Sequence, residues 1–248
     1  MNGILLVDKP VGWTSFDVVA KIRRILASHQ SQVTSNQSKN QVTSDRRQST
    51  PSPKVKVGHT GTLDPLASGL LVLLIGSYTK RASEFSKLDK TYEVTMKLGQ
   101  TSTTGDPEGI ITSTKNVRSD IKRSKVEKVL NLFIGEIMQV PPAYSAIKVD
   151  GQRAYKLARA GKEVKLEPRK ITVYSIQLTD YSYPLVRFTA EVSSGTYVRS
   201  LVEDIGKDLK IGAYMTALKR TKVGTFTLIE ALEPQNLTAE HIYEHLLT

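Results

Sequence analysis

Between residues 58 and 69 the chain reads Gly58-His59-Thr60-Gly61-Thr62-Leu63-Asp64-Pro65-Leu66-Ala67-Ser68-Gly69. One imidazole, two threonine hydroxyls and one carboxylate stand among glycines that allow sharp turns and close approach. The chain contains no cysteine, which excludes thiol nucleophiles, disulfides and thiolate-held metals. Asp64 is therefore the strongest nucleophile or base that this stretch offers. The Asp64-Pro65 step restricts the aspartate to extended backbone and points it away from any helix. Taken alone, an Asp-Pro pair is an ordinary turn, and His59 passes as a loop histidine beside a glycine. No second histidine or carboxylate stands near His59 at metal-ligand spacing.

Several elements must position this loop. Leu70-Leu71-Val72-Leu73-Leu74-Ile75 follows it directly, an apolar run that reads as a buried strand or helix segment. Residues 3–8 read as a short buried strand ended by Lys9-Pro10, and residues 10–15 as a turn. Thr14 with Asp17 forms a capping box. It opens a helix whose Val18, Ile22 and Ile25, with Val19 and Leu26, make the apolar stripe. Lys21, Arg23 and Arg24 fall on its solvated side. Residues 28–54 are polar and nearly devoid of large apolar side chains. Burial there cannot offset ordering entropy, so a disordered insertion is expected.

Further along, residues 79–88 read as a helix. Residues 91–98 alternate as a strand with Tyr92, Val94, Met96 and Leu98 on one face, and residues 99–109 form a polar turn. Ser124 with Glu127 reads as a second capping box, opening a helix through Leu132. Residues 153–160 form a short basic helix stopped by Gly161. Residues 171–178 and 185–192 read as strands, and 196–209 as a helix. Residues 222–228 read as another strand, with a terminal helix from Thr238. Helices and strands interleave irregularly, which predicts an α+β fold with a largely antiparallel or mixed sheet. No internal repeat and no shift in composition marks a second domain. His241 to His245 fits H-x-x-E-H, a zinc-peptidase pattern, but no third ligand follows it, and an amphipathic helix is the preferred reading.

The chain has 248 residues, 39% of them hydrophobic, and a formal net charge of +11. That is enough apolar material for a real core, and the charge predicts an anionic partner, of which nucleic acid is the commonest. No apolar run reaches the roughly 18 residues a membrane span needs, and the first residues lack the pattern of a signal peptide. A cytoplasmic protein is expected.

The glycine-hinged stretch resembles the catalytic motif of the TruB family of pseudouridine synthases, the bacterial tRNA pseudouridine-55 synthases. That motif is G-H-T-G-x-L-D-P-x-A-[ST]-G, and its aspartate is catalytic. Four further stretches are similar to family positions: Lys90-Thr91-Tyr92; Pro141 to Lys148, as P-P-x-Y-S-A-x-K; Gly195-Thr196-Tyr197-Val198-Arg199; and Ala217-Leu218-Lys219-Arg220. The resemblance implies a pseudouridine synthase fold, with a mixed, largely antiparallel central sheet flanked by helices and loops. It implies that Asp64 is catalytic and that Arg199 pairs with it and keeps it ionised. Tyr92 would stack on the target base, and Tyr197 and Leu218 would wall the uridine pocket. His59 would help fill the gap left by extruded nucleotides. Lys80 and Asp106 match polar family positions. Lys148 would open an RNA-gripping insertion over about 148–172, with Arg153, Lys156, Arg159, Lys162 and Lys165 on phosphates.

The implied reaction converts uridine 55 in the tRNA T-loop to pseudouridine and needs no cofactor or metal. The implied partner is tRNA, bound by a monomer with no obligate protein partner. Two departures from the family are expected: the insertion at 28–54, and the lack of a C-terminal PUA-type RNA-binding domain. A non-catalytic RNA-binding or tRNA-folding module of the same fold is the rival reading. A synthase for another RNA is a third.

Overall fold

The computed structural model describes residues 1–39, 55–114, 121–149 and 151–248. The chain forms two compact units, Met1–Ser86 with Arg220–Thr248, and Lys87–Lys219. Composition gives no sign of this division.

The first unit opens with β1 (Gly3–Lys9), α1 (Ser15–Lys39), β2 (Val57–His59) and β3 (Ser68–Ile75). The apolar run left open between strand and helix is a strand. It pairs antiparallel with β1 along its whole length, from Gly3 opposite Ile75 to Lys9 opposite Gly69. Both faces of β3 are covered, which is why it reads as a continuous apolar run without alternation. The capping box of α1 forms as expected: the Thr14 N–H and hydroxyl donate to Asp17 Oδ2 at 2.8 and 2.7 Å. Asp17 N–H donates back to Thr14 Oγ1 at 3.1 Å. Val18, Val19, Ile22 and Leu26 bury their stripe against Leu5, Val7, Val57, Leu71, Leu73 and Ile75, with Ile25 packed at the edge. Each such side chain contributes roughly 1.5–3 kcal/mol by leaving water. α1 runs on through Lys39, so residues 28–39 of the segment expected to lack structure continue the first helix. Residues 40–54 of it lie outside the described residues.

Residues 79–88, read as one helix, are a 3₁₀ turn (Gly76–Arg81) followed by the short α2 (Ala82–Ser86). The second unit then begins with β4 (Lys90–Leu98), β5 (Gln100–Ser102), β6 (Ile111–Ser113), α3 (Arg123–Leu132) and β7 (Gly135–Gln139). β8 (Lys148–Val149), β9 (Gln152–Arg153), α4 (Ala154–Arg159), β10 (Arg169–Ser182), β11 (Leu185–Val192), α5 (Val198–Asp208) and β12 (Ala213–Val223) follow. β4, β11, β10 and β7 are neighbours in that order, each pairing antiparallel. The second capping box does not form. Lys122 stands at the helix start without a side-chain cap, so Ser124 lies inside the first turn. Glu127 pairs instead with Arg123 at 2.8 Å, the favoured i,i+4 spacing.

β12 carries the chain back to the first unit. The strand expected over 222–228 is its far end plus a two-residue β13 (Phe226–Thr227), folded into a hairpin with Lys222 opposite Thr227. The chain closes with α6 (Ala239–Glu244), capped by Thr238, whose Oγ1 accepts the His241 N–H at 3.3 Å. Its Ile242 is fully buried in the first unit's core. One isolated parallel bridge joins Val7 and Leu232. The expected α+β class holds, with antiparallel pairing dominant. Among the described residues no helix is long and apolar enough to cross a membrane.

Candidate active site

The first unit carries Asp64, His59 and Lys80. The Asp64 loop hangs between β2 and β3, which pair from Val57 opposite Ile75 to His59 opposite Leu73. The two neighbours of Asp64 are tied to the first residue of α1 and to the turn that precedes it. Leu63 N–H donates to Ser15 Oγ at 2.8 Å, and that hydroxyl reaches Leu63 O at 3.1 Å. Gly12 N–H donates to Pro65 O at 2.8 Å. The Ala67 N–H closes a turn on Asp64 O at 3.0 Å. The half-buried Asp64 side chain is thus mounted on backbone restrained on both sides, which a reacting group requires.

Two buried cations support this loop from within, and sequence reading assigned neither of them a role. Arg220 is 2% exposed. Its guanidinium donates to Leu70 O at 2.8 Å and to Gly61 O at 3.1 Å, joining the two ends of the loop. The signal that could have found it is the period-two alternation of β12, where Leu218 and Arg220 are buried and Ala217 and Lys219 exposed.

The second cation, Lys9, is fully buried and donates to Pro10 O at 2.9 Å and Trp13 O at 2.6 Å. Burial pushes its ammonium down to about 8. Asp64 opposes this, Arg220 reinforces it, and Asp17 and Asp8 oppose it more weakly. The unfolded chain holds that proton up to about 10.5, so unfolding takes up a proton between those values and stability rises with pH there. Lys9→Met abolishes this component. The denaturant midpoint of the wild type is expected to climb from pH 8 to 10 relative to the variant. Parallel pH profiles would refute the assignment.

His59 is half-buried, and burial, then the Arg220 charge, lowers its pKa. It is therefore neutral at pH 7. Its Nδ1 is buried and has no hydrogen-bond partner among the described residues. Lys80 is exposed on the 3₁₀ turn.

The second unit carries Tyr92, Asp106, Lys148, Tyr197, Arg199 and Leu218. Arg199, the second residue of α5, is 7% exposed. Its guanidinium lies 3.6 Å from Asp106 and donates to Thr104 O at 3.1 Å and Tyr144 O at 3.0 Å. Asp106 is held in turn by the Thr104 hydroxyl at 2.6 Å and the Glu108 N–H at 3.1 Å. Two residues matched separately in the sequence are thus one buried ion pair. Glu203, one turn beyond Arg199, joins them, and burial raises its carboxyl above the usual range. Gly105, at φ +76°, leaves room for that group: an added Cβ would lie 2.6 Å from Glu203 Oε1 and 3.3 Å from Arg199 Cβ.

Tyr92 is 8% exposed and shares the inward face of β4 with Val94, Met96 and Leu98. Leu218 is buried on β12. Tyr197 is half-buried just ahead of α5. Lys148 is exposed in the β8–β9 hairpin, opposite Arg153. Arg153, Lys156, Arg159, Lys162 and Lys165 are all exposed along the same insertion.

Residues 46–198 match the TruB family pseudouridylate synthase N-terminal domain, well over half of the chain. The chain belongs to the TruB family of pseudouridylate synthases. Residues 199–247 match the tRNA pseudouridylate synthase B C-terminal domain. Among TruB relatives, tRNA pseudouridine synthase B of Burkholderia lata is 44% identical over 94% of this chain. The protein of the same name from Pseudomonas fluorescens is 41% identical over 97%. This chain spans 63% and 70% of those two proteins. Among solved structures, a chain of a Cbf5-Nop10-Gar1 complex superposes with a TM-score of 0.67 at 28% identity. The likeness covers 97% of this chain and 55% of that one. A chain of an H/ACA RNP bound to a substrate RNA containing 2'-deoxyuridine gives 0.63 at 26% identity, covering 97% and 54%. The TruB motif is the loop that carries Asp64.

Proposed function

We propose that this chain isomerises uridine to pseudouridine in the T-loop of tRNA, at position 55, with Asp64 as the catalytic residue. The observation that carries the reading is the Asp64 loop itself, which follows the TruB motif at every fixed position and is restrained on both flanks. The relatives' shared name, tRNA pseudouridine synthase B, and the net charge of +11 support tRNA as the substrate.

A base inside a folded loop must leave its stack to be reached. Asp64 then attacks C1′ or C6, or removes the 2′ proton. The N1–C1′ bond breaks, the uracil turns in the pocket, and C5 bonds to C1′. The proton on C5 is lost and N1 gains one, so product and substrate are isomers and no oxidant or phosphoryl donor enters the balance.

Tyr92 supplies a ring for the extruded base, a contact worth roughly 1–3 kcal/mol, and Tyr197 and Leu218 close the pocket. His59, as a neutral imidazole, fills the vacated stack. Lys80 serves as a further polar contact of the same loop. The exposed lysines and arginines from Lys148 to Lys165 contact phosphates. A monomer acting in the cytoplasm without a protein partner, cofactor or metal belongs to the same reading.

Arg199 is assigned to keeping Asp64 ionised, since a guanidinium beside a carboxylate favours its charged form. Arg199→Ala is expected to lower turnover about 10- to 100-fold, with tRNA affinity within about threefold. Single-turnover assays and filter binding measure the two separately. A loss confined to affinity makes Arg199 a phosphate contact instead.

The direct test of the function is tritium release from tRNA labelled at C5 of uridine, since the C5 proton is lost in the reaction. The likeness to chains from H/ACA complexes favours, as a second reading, a synthase for another RNA. Transcripts with altered T-loops separate the two, because only the first reading requires the intact T-loop.

A further inference from the structure

The turn that presents Tyr197 and Arg199 has no side-chain cap of its own at the start of α5. The last residue of a distant strand does this work. Gln139 ends β7 and is 2% exposed. Its Oε1 accepts the Tyr197 N–H at 2.8 Å, and its Nε2 donates to Tyr197 O at 3.1 Å. The side-chain amide thereby engages both polar groups of one residue, as a neighbouring strand would. Tyr197 O also accepts the Leu201 N–H, at 3.1 Å, as the first bond of the helix. One residue on, Val140 O accepts the Ser200 hydroxyl at 3.0 Å. The segment then reaches Tyr144, whose carbonyl accepts from Arg199. The stretch 139–144 thus touches residues 197, 199 and 200 through four hydrogen bonds.

We propose that Gln139 is a positioning residue for the reaction: it sets the backbone of Tyr197 and, through it, the Tyr197 ring and the Arg199 guanidinium. This rests on the synthase reading above. A glutamine with both amide atoms committed cannot shift without stranding a buried donor or acceptor. The placement of the two site side chains follows that peptide rigidly. A misplacement of about 1 Å in a reacting constellation costs up to about 100-fold in rate.

The test compares Gln139→Met, which keeps the shape and removes both bonds, with Gln139→Glu. The carboxylate introduced by Gln139→Glu keeps the acceptor for Tyr197 N–H but loses the donor to Tyr197 O, and protonation restores an O–H donor. For Gln139→Met, kcat on the T-loop substrate is expected to fall about 10- to 100-fold with KM within about twofold. For Gln139→Glu, activity relative to wild type at the same pH is expected to rise severalfold from pH 8 to 5.5. With rates expressed per folded molecule, a role confined to stability moves neither the kcat-against-KM split nor this pH-dependent rescue. If Gln139→Met does not fold, the Gln139→Glu ratio decides. A folded Gln139→Met with wild-type kcat, or a loss lying wholly in KM, or a flat Gln139→Glu ratio, overturns the proposal. A wild type that forms no pseudouridine removes the synthase reading and this inference with it. Product from the wild type with unaffected variants removes the inference alone.

Discussion

Asp64→Asn is expected to form no detectable pseudouridine, a loss on the order of 10⁴-fold or more, or at least about 5 kcal/mol of transition-state stabilisation. The amide has the shape of the carboxylate, so the bonds from Leu63 to Ser15 and from Gly12 to Pro65, all formed by backbone and by Ser15, survive. An amide is a poor nucleophile and a poor base, so only the chemistry goes. Removing a negative charge beside a polyanion does not weaken binding. Affinity for tRNA should therefore stay at or above that of the wild type. Single-turnover conversion and equilibrium binding on the same preparation check both halves. Turnover by the variant would remove Asp64 from the mechanism. Lost binding with a folded protein would show that Asp64 organises the loop rather than the reaction.

Gly69→Ala should have the largest effect on stability. Gly69 ends the motif at φ +100° and stands opposite Lys9 in the β1–β3 ladder. An added Cβ would lie 2.3 Å from Arg220 O and 2.8 Å from Arg220 N. Both are backbone atoms of β12, so no side-chain rotation relieves the overlap. The displaced residue is also the one whose guanidinium joins Gly61 O to Leu70 O. The left-handed backbone alone costs an alanine about 1–3 kcal/mol, and the overlap adds about as much again. A total near ~4 kcal/mol lowers the melting temperature by roughly 8–16 °C in a chain of this size. Thermal unfolding by circular dichroism measures it. A shift under about 2 °C would mean that β12 yields at Arg220 and that the loop is not pinned from there.

The candidate loop was legible because its pattern is local. An acid flanked by proline and glycines, ahead of an apolar run, declares itself within twelve residues, and the family motif coincides with it. The strands β1, β4 and β11 and the helices α1 and α5 were legible too. Their alternation or 3.6-residue stripe reflects one buried face, and that pattern is set residue by residue. What stayed hidden depends on partners far along the chain. Arg220 was given no role of its own because nothing near it in sequence shows that Gly61 and Leu70 accept its bonds. Gln139 drew no reading from the sequence, since its partner lies 58 positions away. Asp106 and Arg199 matched as separate polar positions, and only the fold makes them a pair. Ser124 erred the other way, because a capping box is a local pattern that a helix starting two residues earlier overrides. The sequence by itself determined the candidate reactive group, the apolar faces and the sign of the charge, all properties of neighbouring residues. The tertiary structure alone decided which polar groups are buried and whom they meet. Burying a charge or an amide is tolerable only where its partners are already fixed, and those partners come from elsewhere in the chain.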